Sequence, residues 1–467
     1  MAQTRSDITV PWREVLGPEF APALALVCLG VWLHAADGLI VATMMPAILA
    51  DVGGRELVAW SVFLYEIGSI LTGAASGLLS LRYGLRRPMA CAAAVFAVGC
   101  LVSAAAGRME LVLLGRLLQG LGGGGLMAMA FVATSILFPQ RLIARAMAGV
   151  ATLWGISSFI GPLIGGLFVE FATWRWGFSF FAIQAVALAI WIALSPRLSQ
   201  AVGHGGSGFF PLERISVLAL AVVLIGYAGV EIALLRTTVF GLAGLLCLVA
   251  FFLLDRRGGA DRLLPRSAVS LRTPHGAALM MILAFSIATI ALTAYGPLLV
   301  VAIHGTSPLV AGYLVACSAV GWTLVAVVVS GAPERQDPIY ITAGMALVTA
   351  SIVGLAYSIP SGPVWLIAIF AAMEGGGFGM AWTFILRRAT SLAPEGERER
   401  ISGAIPTVQR LGYATGAAFV GLVANAAGFG DATPDLAVVA SWVFLAGLPF
   451  AALGLVALAR FVMGPSD

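Results

Sequence analysis

Residues 119–139 read QGLGGGGLMAMAFVATSILFP, and residues 374–394 read EGGGFGMAWTFILRRATSLAP. A shift of 255 positions lays Gly120, Gly122 and Gly124 on Gly375, Gly377 and Gly379, and Pro139 on Pro394. The same shift, without a gap, carries Arg145 to Arg400, Thr152 to Thr407, Gly161 to Gly416 and Gly166 to Gly421. One matched glycine means little in a chain with 56 of them. Several matches at one spacing, Pro and Arg included, predict a duplicated unit. Two similar halves rocking about a site between them, near the middle of a bilayer, are a common construction of membrane carriers. The repeat therefore predicts an interface faced by spans four and five of one half and twelve and thirteen of the other.

Composition sets the solvent. Of 467 residues, 60% are hydrophobic and only 10% charged, and the mean hydropathy is +1.00. A soluble chain carries about a quarter charged residues, so this one cannot cover itself in water. A cytosolic enzyme, a secreted disulfide scaffold and a nucleic-acid-binding protein are excluded, and a polytopic membrane protein remains. The five cysteines (Cys28, Cys91, Cys100, Cys247, Cys317) lie in apolar runs without CxxC spacing and read as buried thiols.

A bilayer-crossing helix needs roughly 20 apolar residues. Fourteen runs meet that need: 22–46, 57–80, 88–106, 110–135, 144–169, 174–195, 215–232, 238–254, 275–302, 308–330, 339–358, 362–387, 401–427 and 436–460. The first is too long for a signal-peptide core and has no cleavage pattern behind it, so it reads as a retained span. All 26 basic residues are Arg, and short Arg-rich loops stay cytoplasmic. With the N terminus inside, the clusters at 82–87, 141–145, 256–272 and 387–400 fall on the cytoplasmic side. Only Arg55, Arg108, Arg175 and Arg236 then lie outside. Both termini are expected in the cytoplasm. Two polar stretches, 196–213 with its AVGHGGSG segment and 255–274, mark boundaries. They divide the chain into a six-helix bundle (1–195), a linker with two inserted helices (196–273) and a second six-helix bundle (274–467).

Four motifs occur in order along the first half. LHAADGLIVATMMPAI surrounds Asp37, and GLLSLRYGLRR follows span two with Gly77, Arg82, Gly84, Arg86 and Arg87. GRLLQG holds Arg116, Gln119 and Gly120, and GISSFIGPLIGG holds Gly155, Gly161, Pro162, Gly165 and Gly166. On these residues the chain resembles the major facilitator superfamily, specifically its fourteen-helix branch of drug/proton antiporters. The resemblance implies an all-α fold of two six-helix bundles plus two inserted helices, with proton-coupled export by alternating access. It covers most of the first half and continues weakly through the repeat. Leu81 departs from it, because the family's loop motif has an acid there whose gate contact this chain cannot make. The last motif has a physical reading of its own. Its glycines let helices approach closely, and Pro162 removes one backbone hydrogen bond and invites a bend.

The residues that cost most are the charges within apolar runs: Asp37, Glu66, Glu374, Arg116 and Arg410. Each costs about 2.5–3.5 kcal/mol at the bilayer centre, so compensation or use is expected. A carboxyl in a low-dielectric cavity resists ionisation and can exchange a proton in the working range. Asp37 ranks first as the proton-coupling residue, Glu66 second and Glu374 third. Asp37 and Glu66 lie at comparable depth, as though sharing a proton site. Arg116 and Arg410 read as intramembrane charge partners, with a Glu374–Arg410 pair the candidate contact. Glu374 is also a candidate for recognising a cationic substrate. His34, one turn before Asp37, reads as a relay or as an interhelical hydrogen-bonding residue. Gln119, Gln409 and Gln184 are polar cavity candidates. Tyr65, Trp154, Phe159, Met373, Trp382 and Tyr413 are candidates to line a cleft.

The expected function is a secondary transporter that exports small amphipathic molecules against protons, in the cell (inner) membrane and as a monomer. Its expected partners are small-molecule substrate, protons and the lipid bilayer. Uptake with protons, export of a lipid or natural product, and a non-transporting receptor or scaffold are the competing readings. There is no GxxxxGK[ST], no HExxH and no extramembrane domain to house an active site, so no catalytic residue, metal or cofactor is expected.

Overall fold

Where water is absent the backbone must satisfy its own hydrogen bonds, and apolar runs of this length do so as helices. The computed structural model describes residues 12–199, 212–229, 233–258, 264–265, 268, 270–394 and 397–463. Among them there is no strand. The helices are α1 (Trp12–Val15), α2 (Ala21–Val52), α3 (Val58–Tyr83), α4 (Arg86–Ala104), α5 (Met109–Leu137), α6 (Gln140–Phe171), α7 (Trp174–Leu194) and α8 (Pro196–Ser199). They continue as α9 (Leu212–Ala228), α10 (Leu234–Arg257), α11 (Pro274–His304), α12 (Pro308–Val329), α13 (Asp337–Ser358) and α14 (Val364–Ser391). The last are α15 (Arg398–Ala426), α16 (Leu436–Leu445) and α17 (Leu448–Met463). The AVGHGGSG linker and Arg5, Arg262 and Arg266 lie outside the described residues.

Turn chemistry ends the helices where the sequence puts it. Gly84 closes α3 at φ 72° and Gly305 closes α11 at φ 63°, backbone that favours glycine. Ser307 caps α12 by accepting from the Val310 amide, and Asp435 caps α16 by accepting from Ala437 and Val438.

Eleven helical stretches among the described residues are long and apolar enough to cross a membrane. Helices α3 and α15 are of similar length, and α9 is shorter. The expected run 436–460 is one of the eleven, Leu436–Met463, with a break inside it. The break falls between α16 and α17, where Gly447 packs so closely on α11 that a Cβ would come 2.5 Å from the Ala288 carbonyl oxygen.

The duplication is visible in the packing. Helix α2 packs on α6, α3 and α4 flank α5, and α7 packs on α4; likewise α11 packs on α15, and α12 and α13 flank α14. Gly120 and Gly124 sit against the Tyr65 and Ser69 backbone, and Gly375 and Gly379 against Ser318 and Trp322, one fixed offset later. Gly122 meets Ala92 and Phe96, and Gly377 meets Gly344 and Val348, again at a fixed offset. The shared glycines are the sites where two backbones touch.

The two sets of helices meet along α3 with α15, α6 with α12 and α2 with α11. Spans five and thirteen therefore face the interface as expected. Span twelve, our α14, does not, and span four, our α5, reaches it only through Met127, which approaches Arg410. Their glycines are consumed in packing against neighbours within their own set. Helix α11 is the most buried span, and α10 turns most of its length outward, resting on α9, which packs against α15 and α3. Exposed apolar side chains such as Ile183, Leu246, Val328 and Trp365 face outward, as lipid requires.

Candidate functional site

Because glycine lets α5 touch α3, Arg116 reaches the centre of the first set of helices. There its guanidinium pairs with Asp37 of α2, both side chains 2% exposed. The same Nη1 also donates to Gln119 Oε1, Nε donates to the Ser61 carbonyl at 3.4 Å, and the guanidinium lies 4.3 Å over the Tyr65 ring. Gln119 in turn donates to Ser103 Oγ at 3.2 Å. Such a pair offsets the desolvation of both charges, whereas removing one partner costs about 3–5 kcal/mol.

From Tyr65 the polar chain continues toward the other half. The Tyr65 hydroxyl lies 2.9 Å from His34 Nδ1 and 2.9 Å from the His34 carbonyl. His34 Nε2 meets Arg410 Nη2 of α15 at 2.9 Å. Arg410 also donates to Ser69 Oγ at 2.8 Å and Glu66 Oε2 at 3.3 Å, and approaches Met127 Sδ at 3.1 Å. Asp37, Arg116, Tyr65, His34, Arg410 and Glu66 thus form one continuous polar array, the last two only partly buried.

Two expectations are corrected here. Arg410 does not pair with Glu374; it crosses the seam to Glu66. Asp37 and Glu66 do not share one proton site; each has its own arginine, with Tyr65 between them. The reason is the side-chain face: residues 65 and 66 point 100° apart on α3, one inward and one across the seam. Glu374, 6% exposed on α14, makes no hydrogen bond or ion pair among the described residues. Tyr413, to which Gln409 donates at 3.2 Å, lies within electrostatic reach of both Glu66 and Glu374. One turn beyond Glu374, Phe378 stacks on Trp322, which also meets Trp382. Gln184 accepts from Trp32 Nε1 at 3.0 Å within the first set of helices.

The motif glycines of α6 make it a two-sided joint. Gly161 and Gly165 face Leu39, Ile40 and Thr43 of α2. On the other side Gly155 faces Thr323, Gly166 lies against Leu309 and Pro162 touches the site of Gly312, all on α12. Phe159 meets Tyr313 at 5.4 Å, and Trp154 stands edge-on to His34. In the loop motif Arg82 lies over Tyr83, and Arg86 begins α4. Of Gly77 and Leu81 only the helical backbone is described.

Sequence reading missed the hydroxyl role of Tyr65, the Ser69 and Met127 contacts, and Asn425. Asn425 Nδ2 donates to the Glu56 carbonyl at 3.0 Å and the Gly229 carbonyl at 2.8 Å, tying α15 to the turn before α3 and to the end of α9. A lone Asn in the last turn of an apolar helix was the available signal.

The profile described as Major Facilitator Superfamily matches residues 27–417. A probable multidrug-efflux transporter of Mycobacterium tuberculosis is 31% identical, covering 92% of this chain and 93% of its own. Among solved structures, a POT family transporter in complex with 5-aminolevulinic acid superposes at TM-score 0.67 with 14% identity, over 97% of this chain and 99% of that one. A bacterial homolog of the lysosomal transporter Spinster, inward-facing and unoccupied, superposes at TM-score 0.64 with 14% identity, over 96% and 97%. These two likenesses are of fold. With the duplicated packing, the seam and the family match together, the chain belongs to the Major Facilitator Superfamily: it is a multi-pass membrane transporter protein and not an enzyme.

Proposed function

We propose that the chain is a proton-coupled exporter of small amphipathic or drug-like molecules, of the fourteen-helix antiporter branch, working by alternating access. The 1–195 and 274–467 bundles rock about their seam, with the two helices of 196–273 inserted beside it. The Arg distribution supports cytoplasmic termini and a place in the cell (inner) membrane, and the protein acts as a monomer. The name of the M. tuberculosis relative supports export.

The observation that carries the reading is the buried Asp37–Arg116 pair, joined by unbroken polar contacts to the second half at Arg410. A proton placed on Asp37 abolishes its charge. Arg116 then keeps only neutral partners, Gln119, the Ser61 carbonyl and the Tyr65 ring, so protonation leaves a buried cation without its counter-charge and destabilises this packing. That destabilisation is how a proton biases the seam. Glu374, a carboxyl without a counter-charge among the described residues, one turn from the Phe378–Trp322 stack, is the second-half acid for a proton or a cationic cargo. The glycines of α6 and the basic loop at 82–87 serve as the moving joint and its cytoplasmic anchor.

The test is transport in proteoliposomes with an imposed pH gradient, using a panel of amphipathic dyes and lipophilic cations. The parent moves at least one of them against protons, and Asp37→Asn binds it but loses gradient-driven flux. Undiminished flux in Asp37→Asn, and in the combined Asp37→Asn, Glu66→Gln and Glu374→Gln protein, overturns the proposal.

A further inference from the structure

Arg410 is the point where the polar array crosses between the halves, and its bonding fixes the state of His34. Among the described residues the four groups that Arg410 contacts, His34, Glu66, Ser69 and Met127, come from α2, α3 and α5. Guanidinium has only donors, so His34 Nε2 must accept and carries no hydrogen. The His34 carbonyl can only accept, so the Tyr65 hydroxyl spends its hydrogen there. Nδ1 must therefore hold a hydrogen and donate it to the Tyr65 oxygen. The imidazole is neutral, in one tautomer, and its single basic lone pair is capped by Arg410.

We infer that His34 and Arg410 are a coupling pair that locks the two halves together only while His34 is neutral. A proton that arrives on Nε2 takes the lone pair that Arg410 uses, and the N–H to N bond between them breaks. A guanidinium does not give up its charge to accommodate a neighbour, so two cations then face each other and α15 is driven off α2 and α3. Tyr65 on α3 and Arg116 on α5 also face His34, Glu66 of α3 stands behind Arg410, Asp37 lies one turn along α2 on Arg116, and α6 presents Trp154, which does not titrate. The His34 proton is distinct from the one on Asp37: the first opens the seam, the second couples flux. The inference deepens the exporter reading and rests on the same seam.

The experiment measures the seam directly. Spin labels at Arg55 and Gly430, both exposed and on opposite halves, report the distance across it in lipid nanodiscs. The released imidazole binds one proton that the latched form excludes, so falling pH favours the open form by up to tenfold per pH unit. The parent should show its long-distance population rising by that order as pH falls. His34→Gln, which still offers Arg410 an acceptor but never charges, should stay flat. Arg410→Lys should keep the pH dependence and Arg410→Gln should lose most of it. A His34→Gln protein that opens as the parent does overturns the inference, as does an unchanged profile in Arg410→Gln. Asp37→Asn should still open with falling pH while failing to transport. If it transports normally, the exporter reading fails and the latch is judged separately by the His34 profile.

Discussion

Gly166 is where one added methyl should alter the balance between the two halves without harming either. An alanine Cβ at this position would lie 2.6 Å from Leu309 Cδ1, 2.7 Å from its Cβ and 2.9 Å from its Cα, and Leu309 belongs to α12 across the seam. The last of these is backbone, so the clash cannot be relieved by turning a side chain. Overpacking of this kind costs about 1–3 kcal/mol. It is felt only while α6 and α12 touch and vanishes when they part. The open form is therefore favoured by the same amount, a factor of roughly 5–150. Gly161→Ala is the control, because its Cβ meets Leu39 at 3.2 Å on α2, within the same half, and burdens both forms alike. The assay places a cysteine at Thr43, 1% exposed and beside Gly312 in the seam, in a background freed of the five native cysteines. Modification by a membrane-impermeant thiol reagent from the outer face should accelerate by that factor in Gly166→Ala and scarcely in Gly161→Ala. Equal rates in a folded Gly166→Ala protein would refute the claim that this joint opens.

Other outcomes follow from the same contacts. Gly120→Ala would set a Cβ 2.2 Å from the Tyr65 carbonyl oxygen, whereas Gly123→Ala meets the His34 ring and the Tyr65 hydroxyl at 3.0 and 3.2 Å, so size-exclusion profiles in detergent should show Gly120→Ala failing to fold and Gly123→Ala folding. Arg116→Gln strands Asp37 and should lower unfolding stability by about 3–5 kcal/mol, and adding Asp37→Asn should return most of it, a cycle readable by thermal melts. Asn425→Leu removes two hydrogen bonds to carbonyls and should cost about 1–3 kcal/mol, with an Ala418→Cys and Gly226→Cys pair then crosslinking more slowly as α9 loosens from α15.

The helices were legible because lipid imposes one requirement on every span, and apolar length answers it. The duplication was legible because Gly120, Gly124, Gly375 and Gly379 are places where a side chain cannot fit, and such places leave a mark at fixed spacing. The interface was only partly placed for the same reason: glycine marks close packing without saying whether the neighbour belongs to the same half. Single residues told less. The cost of Asp37, Glu66 and Glu374 in an apolar run was plain, and the first two answer it with arginines. Which arginine meets which acid depends on the rotation of α3 and α15 about their own axes across the seam. Nothing local to residue 410 encodes Glu66 as its partner over Glu374. Tyr65 was hidden because an aromatic in a membrane helix is ordinarily packing or an interface anchor, and its hydroxyl acquires meaning only beside His34.

The most direct measurement is proton release on binding. Purified protein in weakly buffered detergent solution is mixed with each member of the dye and cation panel while a pH indicator is followed. The account predicts that a bound member expels a proton from the parent and that Asp37→Asn binds it without doing so. Binding by the parent with no proton released, for every member bound, would contradict it.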